Sequence, residues 1–328
     1  MAHGIRSDLR KRFDEAYEGG RFLWPKTATE ASRMLRASKR GELVCPVRRI
    51  YALCEHWDKL RPVKRELFTI RTLAAMHPSW VFSYTSAAVV HGLEVGYGQL
   101  GTIHVDCGMR SHTRSSGKIR RHAIVNSEFE QVDGINVTSL VRTTFDCMRT
   151  SRFPRALAIA DSALRISGKD ASYFIDAFGR LHGGHTNQSR PAEIMVFANG
   201  QAENGGESVV RASIIKLGYE VPELQVGVPN PFDPEHPYRV DFYWDLENGP
   251  VAGELDGHDK YMDPVMTNGR SLQEVLTDER LRESRISGSN VKVMRFSYND
   301  ARDYDKFGQL LDVFGIPGGK TIPLIALT

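Results

Sequence analysis

Alternation of apolar and polar side chains predicts a β-hairpin in the C-terminal part of the chain. Residues 239–244 (RVDFYW) alternate in this way and are rich in the branched and aromatic side chains that favour strands. Residues 247–250 (ENGP) form a strong turn signal, and residues 251–256 (VAGELD) are a second short apolar run. The two runs are therefore expected to pair as neighbouring strands.

Three acidic residues lie on this hairpin. Glu254 and Asp256 are two positions apart, so they share a face of the second strand, and the turn is expected to set Asp241 near Glu254. Mg²⁺ takes hard oxygen ligands, and a bound cation polarises a phosphoryl oxygen and activates water. The pattern predicts Asp241, Glu254 and Asp256 as ligands of Mg²⁺ (or Mn²⁺) for phosphodiester hydrolysis. Lys260 follows closely enough to orient the water or to stabilise developing charge.

This segment resembles the PD-(D/E)xK nuclease superfamily, and more closely its very-short-patch-repair-like endonucleases, in which an Asp is followed by Glu-x-Asp-Gly. Asp241 matches the first acid and Glu254 the second, while Asp256 takes the position that a lysine holds in most of the superfamily. The resemblance implies that Lys260 supplies the missing cation and that Glu207 joins the catalytic site from an opening helix. A first-turn glutamate is also favoured by the helix dipole alone, so both interpretations of Glu207 stay open.

The elements that flank the hairpin extend the resemblance over roughly residues 200–315. Residues 205–211 match the opening helix, residues 278–285 match a basic helix, and residues 291–296 match a further strand. The resemblance implies a C-terminal α/β restriction-endonuclease-like fold with a central mixed sheet.

Composition places the chain among globular proteins with room for two or three domains, at 328 residues, 41% hydrophobic and 25% charged. The sequence has no apolar run of about 18 residues and no signal-peptide core, so no membrane partner is expected. Its four cysteines are widely spaced, without a Cys-x-x-Cys pair, which favours neither a zinc site nor a disulfide framework. A reducing cytoplasm is the expected compartment.

Charge is distributed unevenly along the chain. Residues 1–200 carry 30 Lys and Arg against 19 Asp and Glu, whereas residues 201–328 carry 13 against 21. A basic front half joined to an acidic half predicts that affinity for DNA resides mainly in the front half.

The front of the chain predicts a small winged helix. Residues 27–30 (TATE) form a capping-box pattern before a helix at 31–37, residues 38–44 turn into a strand, and residues 45–53 indicate a second, basic strand. The wing resembles the N-terminal element of AbiEi-type antitoxins. Phosphate contacts are expected from the basic side chains of helix and wing, namely Arg33, Arg36, Lys39, Arg40, Arg48 and Arg49.

Residues 60–165 continue the resemblance to AbiEi-type antitoxins. Residues 82–93 match a helix that ends in His-Gly-Leu, and residues 132–146 match a hairpin followed by a helix. Residues 154–165 predict an amphipathic helix. A basic, serine-rich loop at 110–121 suits phosphate contacts as well as simple solvation, and its cations are Arg110, Arg114, Lys118, Arg120 and Arg121.

Together these patterns predict an α+β multidomain protein with four segments. They are a winged-helix-like DNA-binding element at 1–60, an AbiEi-like middle domain at 61–182, a connector at 183–204 and a nuclease-like domain at 205–328.

The expected function is that of a DNA-binding protein with a metal-dependent endonuclease domain, and the resemblance implies a role in defence against foreign DNA. Cleavage of both strands would call for a homodimer, and the resemblance implies a toxin or a defence-system protein as a partner. The alternative is a non-catalytic, antitoxin-like repressor whose nuclease fold serves binding or dimerisation. A mismatch-repair endonuclease is a third interpretation, for which the sequence specifies no recognition pocket.

Overall fold

The computed structural model describes residues 5–108, 115, 117–125, 128–181, 188–256 and 272–319. These residues form two compact units, each a mixture of helices and strands. Unit 1 contains residues 1–150 and 172–191, and unit 2 contains residues 151–171 and 192–328. The expectation of an α+β protein with mixed sheets is therefore confirmed.

The helices and strands follow one another along the whole chain. The helices are α1 (Ser7–Glu18), α2 (Ala28–Lys39), α3 (Cys54–Asp58), α4 (Pro62–Met76), α5 (Tyr84–His91), α6 (Leu140–Thr150), α7 (Phe153–Ser167), α8 (Ala171–Arg180), α9 (Arg190–Met195), α10 (Gly205–Leu217), α11 (Leu272–Gly288), α12 (Tyr298–Arg302) and α13 (Tyr304–Val313). The strands are β1 (Leu43–Val44), β2 (Ala52–Leu53), β3 (Val81–Phe82), β4 (Ile103–Asp106), β5 (Ile119–His122), β6 (Phe129–Val132), β7 (Ile135–Thr138), β8 (Glu223–Val228), β9 (Tyr238–Trp244), β10 (Val251–Asp256) and β11 (Lys292–Ser297).

The beginning of unit 1 packs α1 and α2 against a two-stranded antiparallel sheet of β1 and β2. Thr27 caps α2 as the sequence predicts, because its hydroxyl accepts a hydrogen bond from the backbone N–H of Glu30 at 3.1 Å. The predicted strand over 45–53 is wrong in extent. Only residues 52–53 pair with β1, and the segment before them turns, with a left-handed φ of 68° at Arg49.

The rest of unit 1 is built on a five-stranded sheet with the order β5-β4-β3-β7-β6. Pairs β3–β7 and β4–β5 are parallel, and pairs β3–β4 and β6–β7 are antiparallel. The predicted hairpin at 132–139 is confirmed, with a two-residue turn at Asp133 and Gly134 in which both residues have positive φ.

Unit 2 contains a mixed four-stranded sheet with the order β11-β10-β9-β8. The hairpin β9–β10 is antiparallel as predicted, and β11 lies parallel to β10 after the helical connection α11. The sequence analysis did not predict β8, which forms the edge of this sheet. One core cluster joins α10, α12 and α13 to the sheet through Ile214, Phe242, Phe296, Ala301 and Phe307.

The observed division of the chain differs from the predicted boundaries at α7. This helix is amphipathic as predicted, but it belongs to unit 2 rather than to the middle region. It packs on α10, and buried Asp161 of α7 forms an ion pair with buried Arg211 of α10 at 2.7 Å. A helix that supplies the counterion for a buried charge is part of the fold that buries the charge.

Cys45, Cys54, Cys107 and Cys147 are free cysteines. Among the described residues, no helix is both long and apolar enough to cross a membrane.

Candidate functional site

Glu207 lies in the first turn of α10 and takes part in the cap of this helix. The amide oxygen of Asn204 accepts hydrogen bonds from the N–H groups of Gly206 (2.9 Å) and Glu207 (3.1 Å). In return, the Glu207 carboxylate accepts hydrogen bonds from the Glu203 N–H (2.8 Å) and from the Asn204 amide nitrogen (2.5 Å). Glu207 therefore does stabilise the helix start, as the non-catalytic interpretation expects.

Capping does not account for the burial of Glu207, which is only 2% exposed. Burial raises its pKa to about 7, and the negative charge of Asp241 also raises it, while hydrogen bonds from Glu203 and Gln225 act in the opposite direction. The charge of Asp241 on β9 therefore acts on Glu207 of α10, and the resemblance joins these two residues in one site.

Asp241 is tied to the strand that carries the other two acids. Its Oδ2 accepts a hydrogen bond from the backbone N–H of Leu255 at 3.0 Å, between Glu254 and Asp256. The β9–β10 register, with Phe242 opposite Gly253, carries Asp241 to this position. The predicted approach of Asp241 to the end of β10 is therefore present.

Gln225 of β8 completes this cluster of polar groups, which we call the acidic site (Glu207, Gln225, Asp241, Glu254). Its amide nitrogen donates to Glu207 Oε2 at 3.1 Å. Its backbone has a φ of 57°, a left-handed conformation that is rare for a non-glycine residue inside a strand. Since β8 pairs with β9 on both sides of Gln225, the local departure occurs beside the acidic site.

The two acids of β10, Glu254 and Asp256, are paired with arginines. Glu254 accepts two hydrogen bonds from the guanidinium of Arg282 on α11, at 2.9 and 3.2 Å. Asp256 accepts from Nε of Arg295 on β11, at 3.1 Å to Oδ1 and 3.3 Å to Oδ2. Each guanidinium supplies the positive charge that a cation would otherwise supply to that carboxylate.

The donor set therefore divides into two halves with different chemistry. Glu207 and Asp241 are neighbouring carboxyl groups whose repulsion a proton or a cation would relieve, whereas Glu254 and Asp256 already have counterions. Across the parts of the chain that the structure describes, no group of three or more His, Cys, Asp and Glu side chains is arranged to hold a metal ion. Lys260 lies outside the described residues.

The candidate DNA-binding residues of the front half that the structure describes lie on α2 and its end, on the turn before β2, and on or just before β5. Arg33, Arg36 and Lys39 are exposed on α2, on the side away from buried Met34. Arg40 is exposed at the end of the same helix, but its guanidinium is paired with Glu42 at 2.6 Å. The structure therefore brings these side chains together on one helix.

Four of the other basic candidates lie on elements that differ from the predicted ones, whereas Lys118 lies in a turn, as the predicted loop implies. Arg48 and Arg49 are exposed on the turn before β2. Lys118 and Arg120 are exposed, but Arg120 and Arg121 belong to strand β5 instead of a loop, because residues 119–122 pair in parallel with β4. The guanidinium of Arg121 lies over the ring of Trp80 at 4.9 Å. Arg110 and Arg114 lie outside the described residues.

Sequence reasoning missed the arginines of the acidic site and the contribution of β8. Arg282 lies in the predicted basic helix and Arg295 in the predicted strand, but the pattern did not indicate which acid each would contact. Gln225 had a weak signal, since residues 223–228 (ELQVGV) alternate as a strand does.

Comparison with known proteins gives relatives without an activity to transfer. No protein-family model matches the chain. Two uncharacterized proteins, from two strains of Mycobacterium tuberculosis, are each 31% identical to the chain over 160 residues. The match covers 48% of this chain and 56% of each relative, so the chain spans little more than half the length of these proteins.

Proposed function

We propose that the chain is a DNA-binding protein with a metal-dependent endonuclease site in unit 2. The observation that carries the proposal is that the charge of Asp241 on β9 acts on the buried carboxyl group of Glu207 on α10, so two carboxyl groups from different elements repel each other. A carboxyl pair of this kind destabilises the fold unless a proton or a cation accompanies it. Such environments are concentrated at functional sites.

Chemistry and charge support Mg²⁺ or Mn²⁺ as the cation of this pair. Carboxylate oxygens are the ligands these ions prefer, and Asp241 and Glu207 would hold the ion, with Glu254 joining when Arg282 releases it. When bound, the ion would polarise the phosphoryl oxygen and lower the pKa of the attacking water. Arg282 and Arg295 would then face the substrate phosphate, the anion for which guanidinium groups are best suited.

DNA binding is assigned in this proposal to the exposed basic face of α2. Arg33, Arg36 and Lys39 present unburied cations along one helix, in the half of the chain that has excess positive charge. Replacing one residue that contacts a phosphate should reduce the salt dependence of binding by about one in the logarithmic slope. Arg40→Gln is the matched control, because Glu42 already neutralises Arg40.

The alternative is a repressor in which the nuclease fold of unit 2 binds without cutting. The ion pairs Arg282–Glu254 and Arg295–Asp256 favour it, because two of the four acids are already satisfied without metal. In this case Glu207 would remain protonated up to a pH of about 7, and no cation would be needed.

Cleavage of supercoiled plasmid by the wild type and by Asp241→Asn distinguishes the two functions. With Mg²⁺ or Mn²⁺ present, the endonuclease predicts nicked or linear product from the wild type and none from the variant. The two proteins should bind DNA equally in a gel-shift assay. DNA binding without cleavage by either protein, together with no Mn²⁺ binding in calorimetry, would support the repressor.

A further inference from the structure

Unit 1 contains a pocket of about 230 Å³ that the acidic site does not involve. Apolar groups form much of its wall, including Val47, Trp57, Pro62, Leu100 and Ile103. At about 30 Å³ for each water of the liquid, the space corresponds to roughly eight waters, which is enough for one ring with a short side chain. An apolar wall with a few polar groups is the usual composition of a small-molecule site.

Glu66 of α4 is a buried carboxyl group, 7% exposed, that lines the pocket. Its Oε2 accepts a hydrogen bond from the Gly101 N–H at 3.1 Å. Its Oε1 is buried and has no hydrogen-bond partner among the described residues. A buried oxygen without a donor costs about 1–3 kcal/mol, so a donor that reaches the Glu66 carboxylate would stabilise it.

Charge around the pocket is consistent with a donor of positive charge at Glu66. Burial raises the pKa of Glu66 to about 7, and Lys118 opposes this rise from the pocket wall. Above that pH the carboxylate would be ionised in an apolar surrounding, where a cation stabilises it most. Lys118 itself is exposed and can meet an anion at the same pocket.

Trp57 provides a flat aromatic wall whose position is fixed by its neighbours. Its ring packs at 5.6 Å from the ring of Phe22, and the guanidinium of Arg65 lies 4.9 Å from its centroid. Nε of Arg65 also donates to the Trp57 carbonyl at 2.9 Å, which helps to fix the position of the ring. Lys118 is the exposed cation of the pocket wall.

We propose that this pocket binds a small zwitterion of amino-acid size with an apolar or aromatic side chain. Its ammonium group pairs with the Glu66 carboxylate, its carboxylate meets Lys118, and its side chain lies along Trp57. The site is independent of the endonuclease proposal, since each of its residues belongs to unit 1.

Three probes that share one ring test the proposal on the full chain: phenylalanine, phenethylamine and 3-phenylpropionate. Binding is measured at pH 8 by calorimetry and by quenching of tryptophan fluorescence. Phenylalanine should bind most tightly and 3-phenylpropionate most weakly, because only the first two offer an ammonium to Glu66. Glu66→Gln should weaken the binding of phenylalanine by at least tenfold and leave the binding of 3-phenylpropionate unchanged.

Two lysine variants complete the design. Lys118→Met should reduce the affinity for phenylalanine to that for phenethylamine, and Lys59→Met, an exposed lysine that does not line the pocket, should change nothing. Glu66→Gln keeps an oxygen for Gly101 and is expected to melt no lower than the wild type, which separates binding from folding. Three outcomes would overturn the proposal. They are equal affinity of the wild type for the three probes, equal affinity of the wild type and Glu66→Gln for phenylalanine, and no binding of phenylalanine at about 10 mM, which corresponds to a binding free energy weaker than about −3 kcal/mol.

Discussion

The charge of Asp241 should be measurable through the titration of Glu207. Glu207 has a pKa of about 7 instead of 4.5, with burial as the largest cause and Asp241 as the repelling charge with the largest effect. This difference corresponds to about 3 kcal/mol at 1.36 kcal/mol for each pH unit. Between pH 4.5 and 7 the unfolded chain has released this proton while the folded chain retains it. The free energy of unfolding should therefore fall by up to about 3 kcal/mol as the pH rises through this window, and level off above it.

Asp241→Asn removes the charge and keeps an oxygen that can accept from the Leu255 N–H. We expect the pKa of Glu207 to fall toward 4.5 without reaching it, because burial remains. The pH dependence of stability should become correspondingly shallower. Carbon NMR titration of labelled glutamate side chains reports the pKa directly, with the Glu207 signal assigned by its loss in Glu207→Gln. Hydrogen exchange of β9 and β10 amides at pH 5 and pH 8 reports the stability of unit 2 alone.

Asp245→Asn is the control, since Asp245 is exposed just after the same strand and is not among the charges that act on Glu207. Its Glu207 titration should match the wild type. A Glu207 pKa near 4.5 in the wild type, or an equal value in Asp241→Asn, would refute the idea that the two carboxyl groups interact. The proposed cation site would then lose its electrostatic basis.

Three other predictions concern the stability of the two units. Arg211→Met should destabilise unit 2 by about 3–5 kcal/mol because it leaves the fully buried Asp161 without its counterion; urea denaturation measures this, and a change below about 1 kcal/mol would contradict it. Asn204→Ala should cost about 1 kcal/mol through loss of the helix cap and should also alter the Glu207 titration, whereas Thr27→Ala, a cap in unit 1, should cost about as much and leave that titration unchanged. Gly253→Ala should destabilise the protein by about 1–3 kcal/mol, because the added Cβ would lie 3.0 Å from Phe242 Cβ. Gly179→Ala in α8 meets no atom within 4 Å and should be neutral or slightly stabilising. In calorimetric melting, a Gly253→Ala variant as stable as the wild type, or a Gly179→Ala variant that is clearly less stable, would contradict this.

Local patterns predicted the elements of the acidic site better than its contacts. The hairpin of residues 239–256 follows from period-two alternation and a turn signal, both of which act over a few residues. The approach of Asp241 to the end of β10 then follows from strand pairing. By contrast, the arginines that pair with Glu254 and Asp256 are separated from them by 28 and 39 positions, and no local pattern specifies those contacts.

Errors in the front half have the same origin. The basic segment around Arg48 and Arg49 has strand-preferring residues, but the chain turns there because only residues 52–53 find a partner in β1. The basic segment around Arg120 and Arg121 has loop composition on one side, but β4 provides a parallel partner and makes it a strand. In both places tertiary pairing decided what propensity left open.

The position of α7 restricts how this protein can be divided or exchanged. Neither unit is one continuous stretch of chain, because α7 belongs to unit 2 and the chain returns to unit 1 at Ser172. A fragment that starts at residue 183 or 205 would retain Arg211 and lose Asp161, so it would expose the face of α10 that α7 covers and leave a buried cation alone. Recombination at a single crossover between α7 and α10 would have the same effect on a hybrid. The two units are thus expected to be inherited together, and a working fragment of unit 2 has to begin before residue 153.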